Sequence, residues 1–443
     1  MPSDRVYVWT WLPGSETPVV AGAVEQRGDR FPFVYAASYR SLPGSISLYG
    51  PELPLREGTI EPRDGLVLAG ALRDGSPDGW GRTVIDERRG ARDRGLTELE
   101  YMIASGSSRF GALDFQESPT EYTPREDRSS LDELHEAADR LEAGLALSPA
   151  LDAALLRGTS IGGARPKATL LDDAGVEHIA KFSASSDRTF QVVNAEGAAL
   201  ALARRAGLDV ARSRVVSSLG KDVLLVQRFD REGRRRRHAV SALTMSGESE
   251  WTARYVSYPE VLDVLRRHGP AGVDPGPELF ARIAFNMAIS NSDDHARNHA
   301  AFWDGRHLTL TPAYDLAPGN RSGETATQAL AYSRDGEKRA NFASLMKSAP
   351  VYGLDRAEGR AVVERTIEAV VDGFDDAVEE ARVPERDREL LRGHLFLNPG
   401  VLHDLSDVVI GWTAGTPGGS DATRRADPRQ RAGSRDAEGR VEG

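Results

Sequence analysis

Three polar side chains in the C-terminal half of the chain are spaced so that they could act together. Asp293 and Asn298 lie five residues apart, and Asp315 follows within the stretch 312–316. A positioned carboxylate can accept a proton. Carboxylate and amide oxygens are also the hard ligands that Mg²⁺ takes, together with several waters and the phosphates of a substrate. The pattern indicates phosphoryl transfer.

The elements around these residues must bring them together. Residues 278–288 carry apolar side chains on one stripe, which predicts a buried helix that ends where the polar cluster begins. Further on, Asp304-Gly305 separates two short apolar runs and predicts a hairpin. A turn centred on that dipeptide places Asn298 opposite Thr311, with Asp315 a few residues beyond. Protein kinases arrange a proton-accepting Asp, a metal-binding Asn and a second metal-binding Asp in this way.

Residues 158–168 form a second segment of chemical interest. Small residues there would let backbone N–H groups approach phosphate oxygens, and basic side chains would add positive charge. The segment is neither a Walker A motif nor the glycine-rich loop of ordinary kinases. The candidate phosphate-binding residues are Gly162, Gly163, Ala164, Arg165 and Lys167.

The following residues predict the remaining parts of a nucleotide site. A hairpin over 169–182 would place Lys181 at a strand end, where a lysine can pair with nucleotide phosphates. A helix over 191–205, ended by Gly207, carries Glu196 near its start, within reach of Lys181. An apolar strand over 223–226 leads into the residues whose backbone would bind adenine and link two lobes. These are Gln227, Arg228 and Phe229.

Along the chain, the pattern predicts an α+β protein with five regions. Residues 1–115 form a strand-rich N-terminal subdomain with helices after residue 66, and 116–149 form a linker with a short helix over 131–145. Residues 150–230 form the core of a nucleotide-binding lobe, and 231–412 form a mainly helical lobe that carries the catalytic loop. Residues 413–443, rich in Gly, Ala, Arg, Asp and Pro, are predicted to be disordered.

Composition narrows the class of protein. The chain has 443 residues, of which 40% are hydrophobic and 28% are charged, and this is typical of a soluble globular protein. No apolar run reaches the ~20 residues that span a bilayer. The formal charge of −11 argues against nonspecific nucleic-acid binding as the main activity. The absence of cysteine excludes disulfides and thiolate metal sites, and it is compatible with a cytoplasmic location.

Four motifs together resemble the HipA family of serine/threonine kinases, the toxins of bacterial toxin–antitoxin pairs. They are Asp78-Gly79-Trp80-Gly81-Arg82 in the N-terminal region, Ser160 to Lys167 as the phosphate loop, Asn291 to Asn298 as the catalytic loop, and Tyr314-Asp315-Leu316 as the metal-binding motif. The resemblance covers nearly the whole chain except the tail. The phosphate loop departs from the pattern at Arg165-Pro166, where many members carry a polar-acidic pair.

The resemblance implies a bilobal kinase-like fold, binding of ATP and Mg²⁺, and Asp293 as the proton acceptor. Asn298 and Asp315 would bind the metal, and His295, Arg297 and Tyr314 would join the nucleotide site. It also implies autophosphorylation at Ser160, a small HipB-like helix-turn-helix antitoxin as partner, contact with DNA only through that antitoxin, no membrane association, and aminoacyl-tRNA synthetases as protein substrates.

Two alternatives come from other classes. His295 and His299, with Asp293, Asp294 and Asp315, could bind a transition metal in a hydrolase. This alternative leaves Lys181 and the Gly-Gly segment unexplained. The other alternative is a catalytically idle scaffold that helps an antitoxin to repress transcription. The intact set Lys181, Asp293, Asn298 and Asp315 argues against lost catalysis.

Overall fold

The computed structural model describes residues 4–89, 95–125, 130–142, 165–183, 187, 189–321 and 323–405. Ser160, Gly162, Gly163 and Ala164 lie outside the described residues, as does the tail predicted over 413–443. The strands are β1 (Arg5–Trp11), β2 (Pro18–Glu25), β3 (Phe33–Tyr35), β4 (Thr59–Ile60), β5 (Leu113–Gln116), β6 (Lys167–Leu171), β7 (Glu177–Lys181), β8 (Ser213–Ser218), β9 (Lys221–Gln227), β10 (Arg231–Glu232), β11 (Arg235–Arg236), β12 (Ala239–Ser241), β13 (Ala300–Trp303) and β14 (Leu308–Leu310).

The α-helices connect and cover these strands. They are α1 (Ala37–Arg40), α2 (Gly70–Asp74), α3 (Gly79–Arg89), α4 (Glu98–Ala104), α5 (Leu131–Glu142), α6 (Val192–Arg205), α7 (Ala242–Ser246), α8 (Tyr258–His268), α9 (Gly276–Ala288), α10 (Phe342–Lys347), α11 (Arg356–Glu380), α12 (Glu385–Leu391) and α13 (Pro399–Leu402). Short 3₁₀ turns span Ala253–Tyr255, Ala296–Asn298 and Ala349–Tyr352. Among the described residues, no helix is both long and apolar enough to cross a membrane.

The N-terminal region is built on an antiparallel sheet in the order β4-β3-β2-β1-β5. Alternating apolar residues of β1, such as Val6 and Val8, are buried beneath it. Where the N-terminal region meets the rest of the chain, Trp303 of β13 donates a hydrogen bond from Nε1 to the carbonyl of Ser47 at 2.8 Å. The loop between α1 and β4 of the N-terminal region therefore contacts the C-terminal lobe directly.

The nucleotide-binding lobe contains a second sheet in the order β6-β7-β9-β8. One face is covered by α3 and α5, whose Trp80 and Leu134 pack with Phe182 and Leu225. Helix α6 packs near β8 through Gly197. A Cβ at Gly197 would lie 2.8 Å from Val215, so only glycine allows this approach without a shift. This close approach determines how near Glu196, the neighbouring residue on α6, lies to the sheet.

The C-terminal lobe is formed by α8 to α13 around the largely buried helix α9. The stripe predicted from the sequence is confirmed, because Leu279, Phe280, Ile283, Ala284 and Met287 of α9 are all completely buried. The lobe also contains the sheet β12-β13-β14 and the two-stranded β10-β11. Strands β10, β11 and β12 were not predicted from the sequence. They lie in the chain between the nucleotide-binding lobe and the helices of the C-terminal lobe, and β12 pairs with β13, the strand that follows the catalytic loop.

Several local predictions are confirmed. Strands β6 and β7 pair as an antiparallel hairpin, with Lys167 opposite Lys181. Helix α6 covers the predicted range and is followed by Gly207 with a φ of 85°. The hairpin after the catalytic loop is also present. Its predicted register was wrong. Trp303 pairs with Leu308, so four residues form the loop rather than the two assumed.

Side-chain hydrogen bonding explains the longer loop. A carboxylate oxygen of Asp304 accepts from the backbone N–H groups of Arg306 and His307, at 2.8 and 2.6 Å. These bonds stabilise a four-residue loop over a two-residue turn. As a result Thr311 pairs with Ala300 rather than with Asn298, its backbone N–H donating to the Ala300 carbonyl at 3.0 Å.

Candidate active site

The centre of the candidate site is one ammonium shared by two carboxylates. Lys181, at the end of β7, lies 2.6 Å from Oε1 of Glu196 on α6 and 2.5 Å from Oδ1 of Asp315. The Lys181 side chain is 12% exposed and that of Glu196 is 4% exposed. The pairing of Lys181 with Glu196 predicted from the sequence is therefore present, and Asp315 joins it.

This proximity changes the proton affinity of all three groups. Burial lowers the pKa of Lys181, but the carboxylates of Asp315 and Glu196 outweigh that effect and hold the pKa above its ordinary value. Burial raises the pKa of Asp315, and the charges of Lys181 and Lys167 overcome this and bring it well below its usual range. Burial keeps the pKa of Glu196 raised, although Lys181 opposes the change. Asp315 is accordingly ionised at neutral pH.

Asp315 has an unusual backbone conformation. Its φ of 59° lies in the left-handed region, which non-glycine residues adopt at a cost of roughly 1 kcal/mol or more. The preceding Tyr314 is fixed by a hydrogen bond from its hydroxyl to the carbonyl of Arg297 at 2.7 Å. Tyr314 therefore ties the predicted metal-binding motif to the predicted catalytic loop.

The catalytic loop is anchored from below by Asp294. This carboxylate is 1% exposed. It accepts hydrogen bonds from the hydroxyl of Tyr258 and, at 2.7 Å, from Nδ2 of Asn286. It also lies 3.0 Å from Nε2 of His299. Because Asp294 and its partners lie on α8, α9 and the end of the loop, they hold the loop against the core of the C-terminal lobe.

The neighbouring Asp293 faces the other way. Its side chain is exposed, whereas its backbone carbonyl accepts a hydrogen bond from Nδ2 of Asn298 at 3.3 Å. Asn298, whose side-chain amide is predicted to bind a metal, thus also fixes the backbone of Asp293, the predicted base. Asp293 is not among the described residues that line the cavity between the lobes. An exposed carboxylate can reach a hydroxyl on another macromolecule, as a protein kinase requires.

A cavity of about 170 Å³ lies between the lobes and contains most of the predicted site. The predicted residues that line it are Lys167, Lys181, Gln227, Arg228, Phe229, His295, Arg297, Asn298, Tyr314 and Asp315. The cavity is apolar toward Ile179, Val226 and Phe229, and charged toward Lys181 and Asp315. An aromatic base and a polyphosphate need these two environments side by side.

Donor chemistry at the charged end fits a magnesium ion. The Asp315 carboxylate and the Asn298 amide both line the cavity and offer hard oxygen atoms. Burial lowers the pKa of the neighbouring Lys167, although Asp315 opposes the change. Lys167 and Lys181 supply the positive charge that phosphate oxygens would need.

Two predicted residues have other roles. Arg165 does not line the cavity, and it forms an ion pair with Asp187. Arg228 lines the cavity, but its guanidinium is engaged by protein groups, donating to the Arg109 carbonyl at 2.6 Å and pairing with Asp230 at 2.7 Å. The Arg228 side chain therefore joins the nucleotide-binding lobe to the N-terminal region, and its backbone remains the part that can meet adenine.

Sequence reasoning missed several residues that line the cavity. They are Asp74, Asp78, Phe110, Ile179, Val226, Asp230 and Ser241. Asp230 could have been found, because it directly follows the predicted adenine-binding segment. Asp74, Asp78 and Phe110 come from the N-terminal region, far away in the sequence. The Asp78 motif was noticed, but local pattern gave no sign that it meets the catalytic loop.

Two family models match this chain. Residues 15–116 match the family model for the HipA N-terminal domain, and residues 159–376 match that for the HipA-like C-terminal domain. The chain belongs to the HipA family. A curated relative, Y4mE of Sinorhizobium fredii, whose name describes a proposed kinase, is 25% identical over 226 residues. That match covers 49% of this chain and 51% of the relative.

Solved structures identify the fold of this HipA-family chain. HipA of Shewanella oneidensis MR-1, from a complex with HipB and operator DNA, matches with a TM-score of 0.64 and 19% identity. The match covers 86% of this chain and 94% of that protein. The predicted α+β, bilobal kinase-like fold is thereby confirmed. The proinflammatory kinase CtkA of Helicobacter pylori matches 50% of the chain and 93% of its own length at 13% identity, with a TM-score of 0.33, too low to support an argument.

The geometry does not favour the hydrolase alternative. His299 is 3% exposed and is bound to Asp294 and Tyr258, so it is not available beside His295, which lines the cavity. Within the described part of the chain, no three His, Asp or Glu side chains are grouped as ligands of one metal ion. Asp294, which the hydrolase alternative takes as a metal ligand, instead anchors the catalytic loop.

Proposed function

We propose that this HipA-family protein is a kinase that transfers the terminal phosphoryl group of ATP to a serine or threonine hydroxyl, with Mg²⁺ bound to the nucleotide. The observation that carries the proposal is the convergence of Lys181, Glu196 and Asp315 at the charged end of a cavity whose other end is apolar. The family membership and the kinase-like fold support it.

Each residue has a role in this proposal. Ile179, Val226 and Phe229 enclose the adenine. Lys181 and Lys167 bind phosphate oxygens, and Glu196 keeps Lys181 oriented. Asn298 and Asp315 would hold the magnesium ion, which supplies charge neutralisation at the phosphates. Because Lys181 contacts Asp315 directly at 2.5 Å, incoming phosphate competes with a carboxylate for that ammonium.

Asp293 would act as the proton acceptor. The substrate hydroxyl oxygen attacks the terminal phosphorus, the bond to the bridging oxygen breaks with departure of ADP, and the hydroxyl proton passes to the Asp293 carboxylate. The exposed position of Asp293 suits a hydroxyl carried by another protein or by a loop of this chain.

Partner and regulation follow from the family. We propose a small helix-turn-helix antitoxin as the binding partner, with DNA contacted through it, in line with the HipA–HipB–operator complex of Shewanella oneidensis. Ser160 is the proposed autophosphorylation site, where an added charge of about −1.5 to −2 would repel the triphosphate. An aminoacyl-tRNA synthetase is the first protein substrate to test.

The deciding experiment is incubation of the purified chain with ATP labelled at the terminal phosphate and Mg²⁺, followed by mapping of labelled residues. The wild type should transfer label, and Asp293→Asn should lose about 10²- to 10⁴-fold in rate while still binding ATP, because a positioned base contributes that much. Near-wild-type transfer by Asp293→Asn would refute its role. If the wild type transfers no label but still binds an antitoxin, the idle scaffold is the better hypothesis.

A further inference from the structure

The guanidinium of Arg297 is held by two carboxylates from different parts of the chain. Nη1 lies 3.1 Å from Oδ2 of Asp78, in the N-terminal region. Nε donates to Oε1 of Glu250, after α7, at 2.9 Å. The side chains of Arg297 and Asp78 are only 20% and 23% exposed, so water screens the attraction between their charges only partly.

The position of Arg297 matters because of its neighbours in the chain. It is the middle residue of the 3₁₀ turn Ala296–Asn298, and Asn298 both lines the cavity and bonds to the carbonyl of Asp293. The backbone carbonyl of Arg297 accepts a hydrogen bond from the hydroxyl of Tyr314, the residue before Asp315. A displacement of Arg297 would therefore be passed to every residue proposed to hold the metal or accept the proton.

The segment around Asp78 is held in place by contacts on both sides of that residue. Asp74, four residues earlier, accepts from the backbone N–H and the hydroxyl of Ser241 at 2.7 and 2.8 Å. Trp80, two residues later, is buried beneath the sheet of the nucleotide-binding lobe. The segment around Asp78 is thus attached to both lobes, and its carboxylate is not carried by a freely moving surface loop.

We propose that Asp78 is a positioning residue of the phosphoryl-transfer site: through Arg297 it holds the catalytic-loop turn that carries Asn298 and supports Asp293. This inference rests on the proposed kinase function. It makes the N-terminal region a working part of the catalytic site. A partner that moved the segment around Asp78 would slow transfer without touching the nucleotide.

The first test compares steady-state kinetics of Asp78→Asn with those of Asp64→Asn, a matched change at an exposed aspartate of the same region. We expect kcat of Asp78→Asn to fall about 10- to 100-fold, because small displacements of reacting groups are costly. The KM for ATP should change by less than about 3-fold, which separates positioning from ground-state binding. Asp78→Glu should recover part of kcat. A raised KM with unchanged kcat would instead make Asp78 a direct nucleotide contact and overturn the proposal.

The second test asks whether Asp78 acts through Arg297. In an Arg297→Gln background, adding Asp78→Asn should cause little further loss of kcat, because the partner is already gone. If the two losses multiply, Asp78 acts independently of Arg297 and the proposal is wrong.

A third measurement does not depend on activity. Hydrogen exchange of peptides covering residues 291–298, in the full chain without nucleotide, should be faster in Asp78→Asn and in Arg297→Gln than in the wild type or Asp64→Asn. Unchanged exchange in Asp78→Asn would overturn the proposal. If the wild type fails to transfer phosphate, the proposed function fails, whereas the exchange result still decides whether Asp78 holds the loop.

Discussion

Replacing Lys181 with methionine removes the ammonium shared by Glu196 and Asp315 but keeps much of the aliphatic volume. Two carboxylates are then left close together, one of them only 4% exposed. Removing one partner of a buried ion pair costs roughly 3–5 kcal/mol. Since the Asp315 side chain is 37% exposed and partly screened by water, we expect about 3 kcal/mol, at the lower end of that range.

The same sheet offers a matched control at Lys221. Its Nζ lies 2.6 Å from Oδ2 of Asp139, the same distance as that between Lys181 and Glu196, but the two side chains are 52% and 35% exposed. Exposed pairs contribute ~0.2–1 kcal/mol. Lys221→Met should therefore lower the free energy of unfolding by less than about 1 kcal/mol. The two variants differ chiefly in the burial of the pair they remove.

The effect of Lys181→Met should depend on pH. In the wild type the folded-state pKa of Asp315 is depressed, so its contribution to stability is present above its unfolded pKa of about 3.9 and is lost only as pH falls through the lower folded value. In the variant both carboxylates lose the ammonium of Lys181, with Lys167 still nearby, so burial raises their folded pKa values above those of the wild type, where that of Glu196 is already raised. The folded variant then binds more protons than the unfolded chain, so its stability rises as pH falls from 7 to 5. The gap to the wild type should narrow over that range.

The assay is urea unfolding of both variants at pH 7 and pH 5, with phosphate transfer measured in parallel. Lys181→Met should be folded but inactive, and Lys181→Met with Glu196→Gln should regain stability without regaining activity, because the unpaired buried charge is gone while the phosphate partner is still missing. Equal destabilisation by Lys181→Met and Lys221→Met, or a gap that widens at pH 5, would refute the shared-ammonium argument. Full phosphate transfer by Lys181→Met would refute the role of Lys181 as a phosphate partner, whereas no transfer by either the wild type or the variant would favour the idle scaffold.

Two further predictions concern the metal and the phosphate loop. Asp315→Ala should abolish Mg²⁺-dependent ATP binding in calorimetric titrations and Asn298→Ala should weaken it less, because one amide ligand in a partly hydrated shell is easier to lose; restoration by Zn²⁺ instead of Mg²⁺ would favour a hydrolase. Ser160→Asp should bind ATP poorly, and phosphoprotein from cells should be inactive until treated with a phosphatase; mass spectrometry that finds Ser160 unmodified in an active enzyme would contradict the switch.

Local patterns were enough to predict the elements that carry the site. Helix α9, the β6–β7 hairpin and the end of α6 at Gly207 each follow from periodicity or turn residues within a short window. The pairing of Lys181 with Glu196 was predicted by analogy with the ion pair that a strand lysine and a helix glutamate form in protein kinases. The candidate site was predictable wherever its residues are close in sequence or share a known spacing.

Contacts between distant segments were not predictable in this way. The pair Asp78–Arg297 joins residues far apart in the chain, and no pattern around either residue indicates the other. The register of the β13–β14 hairpin was wrong because Asp304 hydrogen bonds favoured a longer loop over the expected tight turn. The direct contact of Lys181 with Asp315 depends on how the two lobes pack, which local sequence does not determine.

Two residues at the candidate site have a positive φ, which is uncommon for residues other than glycine. Ser290, just before the catalytic loop Asn291 to Asn298, and Asp315, in the predicted metal-binding motif, both have φ near +60°, a conformation that is unfavourable for residues with a Cβ. Each is fixed by tertiary contacts: the Ser290 hydroxyl donates to the Leu395 carbonyl at 2.5 Å, and Asp315 pairs with Lys181. Strain of this kind persists only where surrounding structure over-determines it. Packing energy from the two lobes is thus used to hold Asp293, Asn298 and Asp315 in an arrangement that local backbone preference alone would not adopt.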